Sequence, residues 1–494
     1  MMKPIDINSL NLFTLAPMLI TIGGGLLILI IDLIKENLHK SLYVVISILV
    51  LFVSFGAVLS LNLNERGFFD LITTDGLSIL GQLIILGASM LFIPLALTEQ
   101  KFHEYSFPEF FGLFLMMVGG FQFMVATDNL ILIFVGLETA SLALYTLIAL
   151  HNTRESHEAA IKYFTMGAMA AGFFALGAAA IYALSGSLDL LVIQEVIKNR
   201  IVENSNLVPI IGAVILLMVA VAFKVSLIPF HMWTPDVYEG STAPMAGYMS
   251  IVPKIAMMVV AMRIFGLYIK LDIEAIRLMI IAMGVLTMTL SNMMALVQED
   301  VKRMLAYSSI SHAGFVMLAL SIVTVKSYSS IFLYYILFMF TNLGAFAMLW
   351  ISRHKDKIHH DRYNHPYTKF AGMVYKNPIA AVIMAIFMLS LTGVPPFSLF
   401  WGKLYVISSV VDAGYIGLAI IMALNSAIAA YYYLKLIVYM FLKDPKLSAE
   451  AVYANRSRAL EVIIGIAAFA TVGSIFVIDP LLSFITYLVG NTPI

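Results

Sequence analysis

Four ionisable residues stand inside long apolar stretches of this 494-residue sequence: Glu138 in IFVGLETASLALYTL, Lys224 in VAFKVSLIPF, Lys254 in SIVPKI and Lys403 in FSLFWGKLYV. A charge at mid-membrane depth costs roughly 2.5–3.5 kcal/mol even on the lenient insertion scale, so a chain keeps one only where protein or water shields it. The chemistry open to such groups is proton transfer. A buried amine sheds its proton when desolvated and keeps it beside a carboxylate. Glu138 placed near Lys224 holds a charged pair together; separating the pair, or bringing up another cation, sets a proton free. A row of lysines bridged by water and histidine passes protons by shifting each neighbour's affinity. His231 and His312 are candidate relays because imidazole titrates near neutral pH. For each histidine a hydrogen-bonded structural role accounts for the residue equally well.

Other polar residues admit plainer accounts. Lys435, in YYYLKLIVYMF, lies toward the end of its span and either snorkels to the surface or joins the path. Lys302 and Arg303 open QEDVKRMLAYSSISHAGF as positive anchors, or Lys302 links the path to the surface. Asp32 and Asp479 fall near span ends, where a solvated carboxylate is cheap. The stretch 353–377 carries His354, His359, His360 and His365, which suit an irregular charged loop better than a metal site. Gly23–Gly25 has neither a preceding strand nor a following Lys, so close helix packing is expected there and not a phosphate loop. The thirty methionines are packing filler in apolar spans. No metal site is expected. The absence of cysteine rules out disulfides and thiolate-held iron–sulfur clusters in this chain.

The elements that must position these residues follow from composition. Hydrophobic residues make up 61% of the chain and charged ones 12%, with a mean hydropathy of +0.96. That is an all-α polytopic membrane protein. About fourteen spans are expected, near 12–34, 41–61, 76–97, 108–126, 129–150, 160–184, 207–229, 244–269, 274–297, 301–323, 328–352, 378–412, 414–442 and 459–488. The segment 187–203 is too polar to cross and should lie along the interface as an amphipathic helix. The run 378–412 is about 35 residues, or roughly 52 Å as a straight helix, well beyond a 30 Å core. It must break at Pro395 and Pro396, and span seven must break at Pro229. Two broken spans, five apart and each with a lysine near its break, predict inverted repeats of spans 4–8 and 9–13. The expected segments are 1–107, 108–269, 274–442 and 459–494. Lys and Arg concentrate after odd-numbered spans, which puts those loops in the cytoplasm and both termini outside. The N-terminus lacks a basic region and cleavage site, so the first span is expected to be retained. A net charge of zero gives no reason to expect a nucleic-acid partner.

With these residues in view, the chain resembles the antiporter-like subunits of respiratory complex I, proton-pumping NADH:quinone oxidoreductase, across nearly its whole length. The matching pieces are GLETASLALY, FKVSLIPFHMWTPDVYEG, PKIAMM, EDVKRMLAYSSISHAGF and LTGVPPFSLFWGKLYV. FHMWTPDVYEG, the length and a lysine in span twelve are similar to the N-type subunit more than to the L or M types. The resemblance implies a proton channel with a half-channel in each repeat. It implies Glu138 and Lys224 as an ion pair, Lys254 as the central lysine and Lys403 as the span-twelve residue. It further implies that flavin, iron–sulfur clusters and most of the quinone site lie in partner subunits, with M and L types and the small A, J and K types as membrane neighbours. A multisubunit Mrp-type cation/proton antiporter shares the lysine framework; WTPDVYEG weighs against it.

Overall fold

Lipid offers no hydrogen bonds, so a spanning backbone must satisfy itself, and a helix does so within one segment. The computed structural model describes residues 10–35, 38–97, 105, 107–203, 206–352, 365–444 and 457–492. In chain order the helices are α1 (Ala16–Ile34), α2 (Lys40–Leu59), α3 (Gly76–Phe92), α4 (Pro108–Val125), α5 (Leu130–Ala149), α6 (Arg154–Ser185), α7 (Leu190–Val202), α8 (Val208–Val225), α9 (Trp233–Gly240) and α10 (Ala243–Met249). They continue as α11 (Val252–Lys270), α12 (Glu274–Leu296), α13 (Val301–Leu320), α14 (Val325–Ile351), α15 (Met373–Lys376), α16 (Pro378–Thr392), α17 (Ser398–Asp412), α18 (Ile416–Leu442), α19 (Arg458–Gly473) and α20 (Ile478–Gly490). A two-stranded ribbon, β1 (Arg66–Gly67) with β2 (Ile72–Thr73), closes the loop before α3.

Among the described residues twelve helical stretches are long and apolar enough to cross a membrane. α13, whose serines and histidine lower its hydropathy, and the broken pair α16–α17 complete the expected set. The expected breaks are present. α8 ends at Ser226 with φ +70°, and α16 ends at Gly393 with φ +89°. Gly393 is required twice over, because a Cβ there would also come within 2.9 Å of the Lys403 side chain. The amphipathic segment is α7, which turns Leu190, Ile193 and Ile197 into the protein.

Three expectations need correction. Span eight is not one helix: it divides at Ser250–Ile251, because Pro253 in the first turn of α11 has no N–H to continue the ladder. Span fourteen divides into α19 and α20 through a short 3-10 turn, Ser474–Phe476. Of the three glycines in α1, Gly24 meets Val50 of α2 and Gly25 meets the Gly112 carbonyl of α4, but Gly23 faces open space. His354, His359 and His360 lie outside the described residues. His365 is buried, and no group of three or more metal-ligating side chains occurs among the described residues.

The two five-helix repeats are written in the backbone. At the entry to α5, the Leu130 amide donates to the Leu188 carbonyl, and the Leu190 amide donates to the Asp128 carbonyl. At the entry to α13, the Val301 amide donates to His365, and the Tyr367 amide donates to Glu299. Asn129 and Asp300 are the matching N-caps. Each repeat therefore ties the turn between its first two helices to the chain that follows its third. Within each repeat the first two helices also meet through glycines, Gly120 against Gly136 and Gly284 against Gly314.

Candidate functional site

Three of the sequence-selected lysines are buried at helix breaks. Lys224 stands in the last turn of α8, where the carbonyl end of the helix favours a cation. Its Nζ donates to Ser141 Oγ of α5 at 2.7 Å and lies 5.1 Å from the centre of the Tyr163 ring. Glu138 sits one turn earlier on α5, half-buried and within electrostatic reach of Lys224. The two make no direct ion pair; a serine stands in the contact position that the carboxylate was expected to fill.

Lys254 occupies the first turn of α11, the end of a helix dipole that disfavours a cation. Two contacts to α13 offset this: Nζ donates to Ser309 O and to Ser309 Oγ, both at 2.7 Å. Lys403 lies on α17, beyond its break, but reaches back across it. Its Nζ donates to the Leu391 and Thr392 carbonyls at 2.9 Å, capping the end of α16, and to Ser426 of α18 at 2.9 Å. The ammonium thus sits at the carbonyl end of α16, just as that of Lys224 sits at the end of α8.

His312 joins the second and third of these lysines. It lies on α13 one turn from Ser309, within electrostatic reach of both Lys254 and Lys403. Nδ1 pairs with the Tyr334 hydroxyl at 2.5 Å and Nε2 with the Tyr433 hydroxyl at 3.0 Å. Tyr433 in turn meets Ser308. In the register fixed by the two N-caps, Ser309 is the counterpart of Glu138 and His312 that of Ser141. Each position in α5 that faces Lys224 therefore has a polar successor in α13.

The remaining candidates separate. His231 is buried in the α8–α9 break with Nδ1 unpartnered and bonds to none of these residues. Lys302 is buried; its Nζ donates to the Glu239 carbonyl at 2.9 Å and to that of Ser241, closing the end of α9. Arg303 beside it pairs with Asp236 and Glu239, and Asp236 also holds Lys162 at 3.2 Å. These residues lead from Lys302 to the surface. Lys435 is half-buried, donates to the Gln298 carbonyl at 3.3 Å and lies 4.4 Å from the Tyr367 ring centre.

Two clusters escaped the sequence reading. Arg263 of α11 is almost fully enclosed and bonds Asp75 at 2.7 and 2.8 Å, Asp128 at 2.6 Å and the Val125 carbonyl. Arg66 pairs with Asp128 at 3.1 Å and lies 3.7 Å from Asp189, and Arg66, Asp75, Asp128 and Arg263 line a cavity of about 170 Å³. Asp128, in the turn between α4 and α5, has its pKa raised, because burial outweighs Arg263. A charge inside AMMVVAMRIF was the available signal, and the cost argument applied to Lys254 covers Arg263 equally. The second is a row of buried tyrosines, Tyr334, Tyr367, Tyr432 and Tyr433. The YYY of 431–433 points to Tyr432 and Tyr433 alone, and nothing local joins Tyr334 and Tyr367 to them.

The family described as NADH:quinone oxidoreductase/Mrp antiporter, transmembrane, matches residues 127–429. A protein named NADH-quinone oxidoreductase subunit N from Sulfurovum sp. (strain NBC37-1) is 63% identical over 99% of both chains. A chain in the structure of respiratory complex I from Thermus thermophilus with bound aureothin superposes with a TM-score of 0.79 at 28% identity, covering 95% of this chain and 98% of that one. A chain of the Mrp complex from Dietzia sp. DQ12-45-1b reaches 0.81 at 16% identity over 97% of each, which shows a shared fold alone. By its sequence and its fold, the chain belongs to the antiporter-like NADH:quinone oxidoreductase/Mrp family, in the subunit N branch.

Proposed function

We propose that the chain is the proton-translocating N subunit of an NADH-quinone oxidoreductase, moving protons through buried lysines while quinone is reduced elsewhere in the complex. One observation carries the reading: Lys224, Lys254 and Lys403 are each buried at a helix break with serine or carbonyl partners in place of carboxylates. Such partners accept a hydrogen bond without fixing a positive charge, so each amine is free to gain and lose its proton. Glu138 acts as the acidic end of the row, and His312 bridges Lys254 to Lys403. Lys302 supplies a surface link through Arg303 and Asp236; His231 and Lys435 are secondary.

The internal symmetry supports repeats at 108–269 and 274–442, framed by 1–107 and 459–494. The excess of Lys and Arg after odd-numbered spans supports a bacterial inner-membrane location with both termini outside. Membership of the family supports a chain with no cofactor of its own, its flavin and iron–sulfur partners being other subunits. M-, L-, A-, J- and K-type subunits are the membrane neighbours expected.

The test is proton uptake by inverted membrane vesicles carrying Lys224→Ala, with quinone reduction and complex assembly measured alongside. The expected result is impaired uptake in an assembled complex; full uptake would remove Lys224 from the path. An Mrp-type cation/proton antiporter is the second reading, favoured by the shared fold. Under it, collapsing a sodium gradient changes turnover, whereas under ours it does not.

A further inference from the structure

We propose that the ring of Tyr163, backed by Trp233, is a positioning element for Lys224 that holds the side chain while it carries a proton and releases it once the proton has left. This rests on the translocation reading above and adds to it the residues that make one carrier's position depend on its charge.

Four helices converge on the Lys224 ammonium. Nζ lies over the Tyr163 ring of α6 at 5.1 Å from its centre and 6.0 Å from the centre of the Tyr145 ring of α5. Tyr163 is wholly buried, and its hydroxyl has no hydrogen-bond partner among the described residues. Trp233 of α9 stacks on Tyr163 with ring centres 4.2 Å apart and planes 8° from parallel. Its Nε1 donates to the Phe223 carbonyl at 2.9 Å, in the last turn of α8 and one residue before Lys224. Tyr145 meets Tyr163 edge-on at 4.8 Å, and its hydroxyl fits against α6 because Gly167, one turn after Tyr163, has no Cβ to meet it. Among the described residues neither Lys254 nor Lys403 has a ring face in this range; serine hydroxyls and carbonyls hold both.

The two kinds of partner treat the amine differently. A serine hydroxyl serves either form, accepting from an ammonium and donating to a free lone pair. A ring face does not. Its quadrupole draws in a cation, most strongly where water is excluded, and offers nothing comparable to a neutral amine. The hold of Tyr163 on Lys224 is therefore conditional on the proton, whereas that of Ser141 is not. When the proton goes, the pull of the ring lapses and the flexible four-carbon stem is free to leave it. Trp233 keeps the ring facing the end of α8, because its stack fixes Tyr163 and its Nε1 bond fixes the stack to the helix that carries Lys224. A tyrosine kept for its hydroxyl would have a partner for that hydroxyl. One kept for bulk alone gives no reason for a lysine over its face.

The test uses the assembled complex in inverted vesicles, reading protons taken up per quinone reduced. Tyr163→Leu and Trp233→Leu should each lower the ratio at least threefold, and Tyr163→Phe, which keeps the face, should recover most of the loss. Tyr163→Phe is then made with one, two and three fluorines on the ring, which draw density from the face in steps and barely change its size. The ratio should fall at each step, at least threefold from none to three. Packing alone predicts a flat series. A flat series, an undiminished ratio in either Leu variant, or a Tyr163→Phe that fails as Tyr163→Leu does, overturns the proposal. Should the Leu variants not assemble, the fluorine series decides. If Lys224→Ala lowers uptake while that series is flat, the ring's role alone is wrong. If Lys224→Ala also pumps fully, the translocation reading goes with it.

Discussion

The turn between α4 and α5 and the turn between α12 and α13 are counterparts, built on the same backbone bonds, yet their chemistry is opposite. Each receives a cation from the last helix of its repeat: Arg263 donates to the Val125 carbonyl and Lys435 to that of Gln298. At the first turn the cation is a guanidinium locked between Asp75 and Asp128. At the second it is an amine with one long bond, next to another amine with none. Arg cannot lose its proton in a protein, whereas a buried lysine readily does. One scaffold thus holds a doubly paired guanidinium at one end and a loosely bonded amine at the other.

Breaking the Arg263 cluster should have the largest effect. Arg263→Leu leaves the enclosed Asp75 without a cation and Asp128 with Arg66 alone, a loss of about 3–5 kcal/mol; the yield of intact complex on a native gel should collapse. Adding Asp75→Asn should restore part of it. The helix pairs beneath the two turns should respond alike. A Cβ on Gly136 would sit 2.8 Å from the Gly120 carbonyl, and one on Gly314 would sit 2.8 Å from the Met288 amide. Gly136→Ala and Gly314→Ala should each cost about 1–3 kcal/mol, read as equal drops in the unfolding midpoint of the complex. Unequal drops would break the equivalence of the repeats. Lys435→Met, the counterpart of the arginine change, should assemble normally while lowering proton uptake per quinone.

The smallest effect is a pH slope. Burial lowers the pKa of Lys369 to about 8, partly opposed by Asp300. Between about 8 and the ordinary 10.5 the unfolded chain binds more protons than the folded one, so stability gains from rising pH across that window. Lys369→Met should remove that contribution, measured as a flatter dependence of the complex's thermal midpoint on pH from 8 to 10.

The cost of charge in lipid made the architecture and the main lysines legible. Long apolar runs, two proline breaks with a lysine near each, and a third lysine at mid-span depth follow from arithmetic on length and burial. That arithmetic says where a charge is, not what it touches. Ser141 stands against Lys224 because the pitch of α5 brings it there, while Glu138 falls one turn away and half-buried. Lys403 looked like a residue past the break, and only the fold shows its side chain turned back onto the carbonyls before it. Arg263 was readable by the same rule and was passed over. The tyrosine row was not: its members come from α14, α18 and the 365–370 segment, and no local pattern joins residues so far apart.

The contact between α20 and α3 bears on how the chain is made. The Leu488 carbonyl rests where a Cβ on Gly76 would be, at 2.0 Å, and Asn64 donates to the Asn491 carbonyl across a sequence separation of 427 residues. A helix made early in synthesis therefore waits for one made hundreds of residues later before this part of its surface is covered. Until then α3 presents a bare glycine notch to the bilayer, and the nascent chain is open to whatever holds membrane helices in waiting.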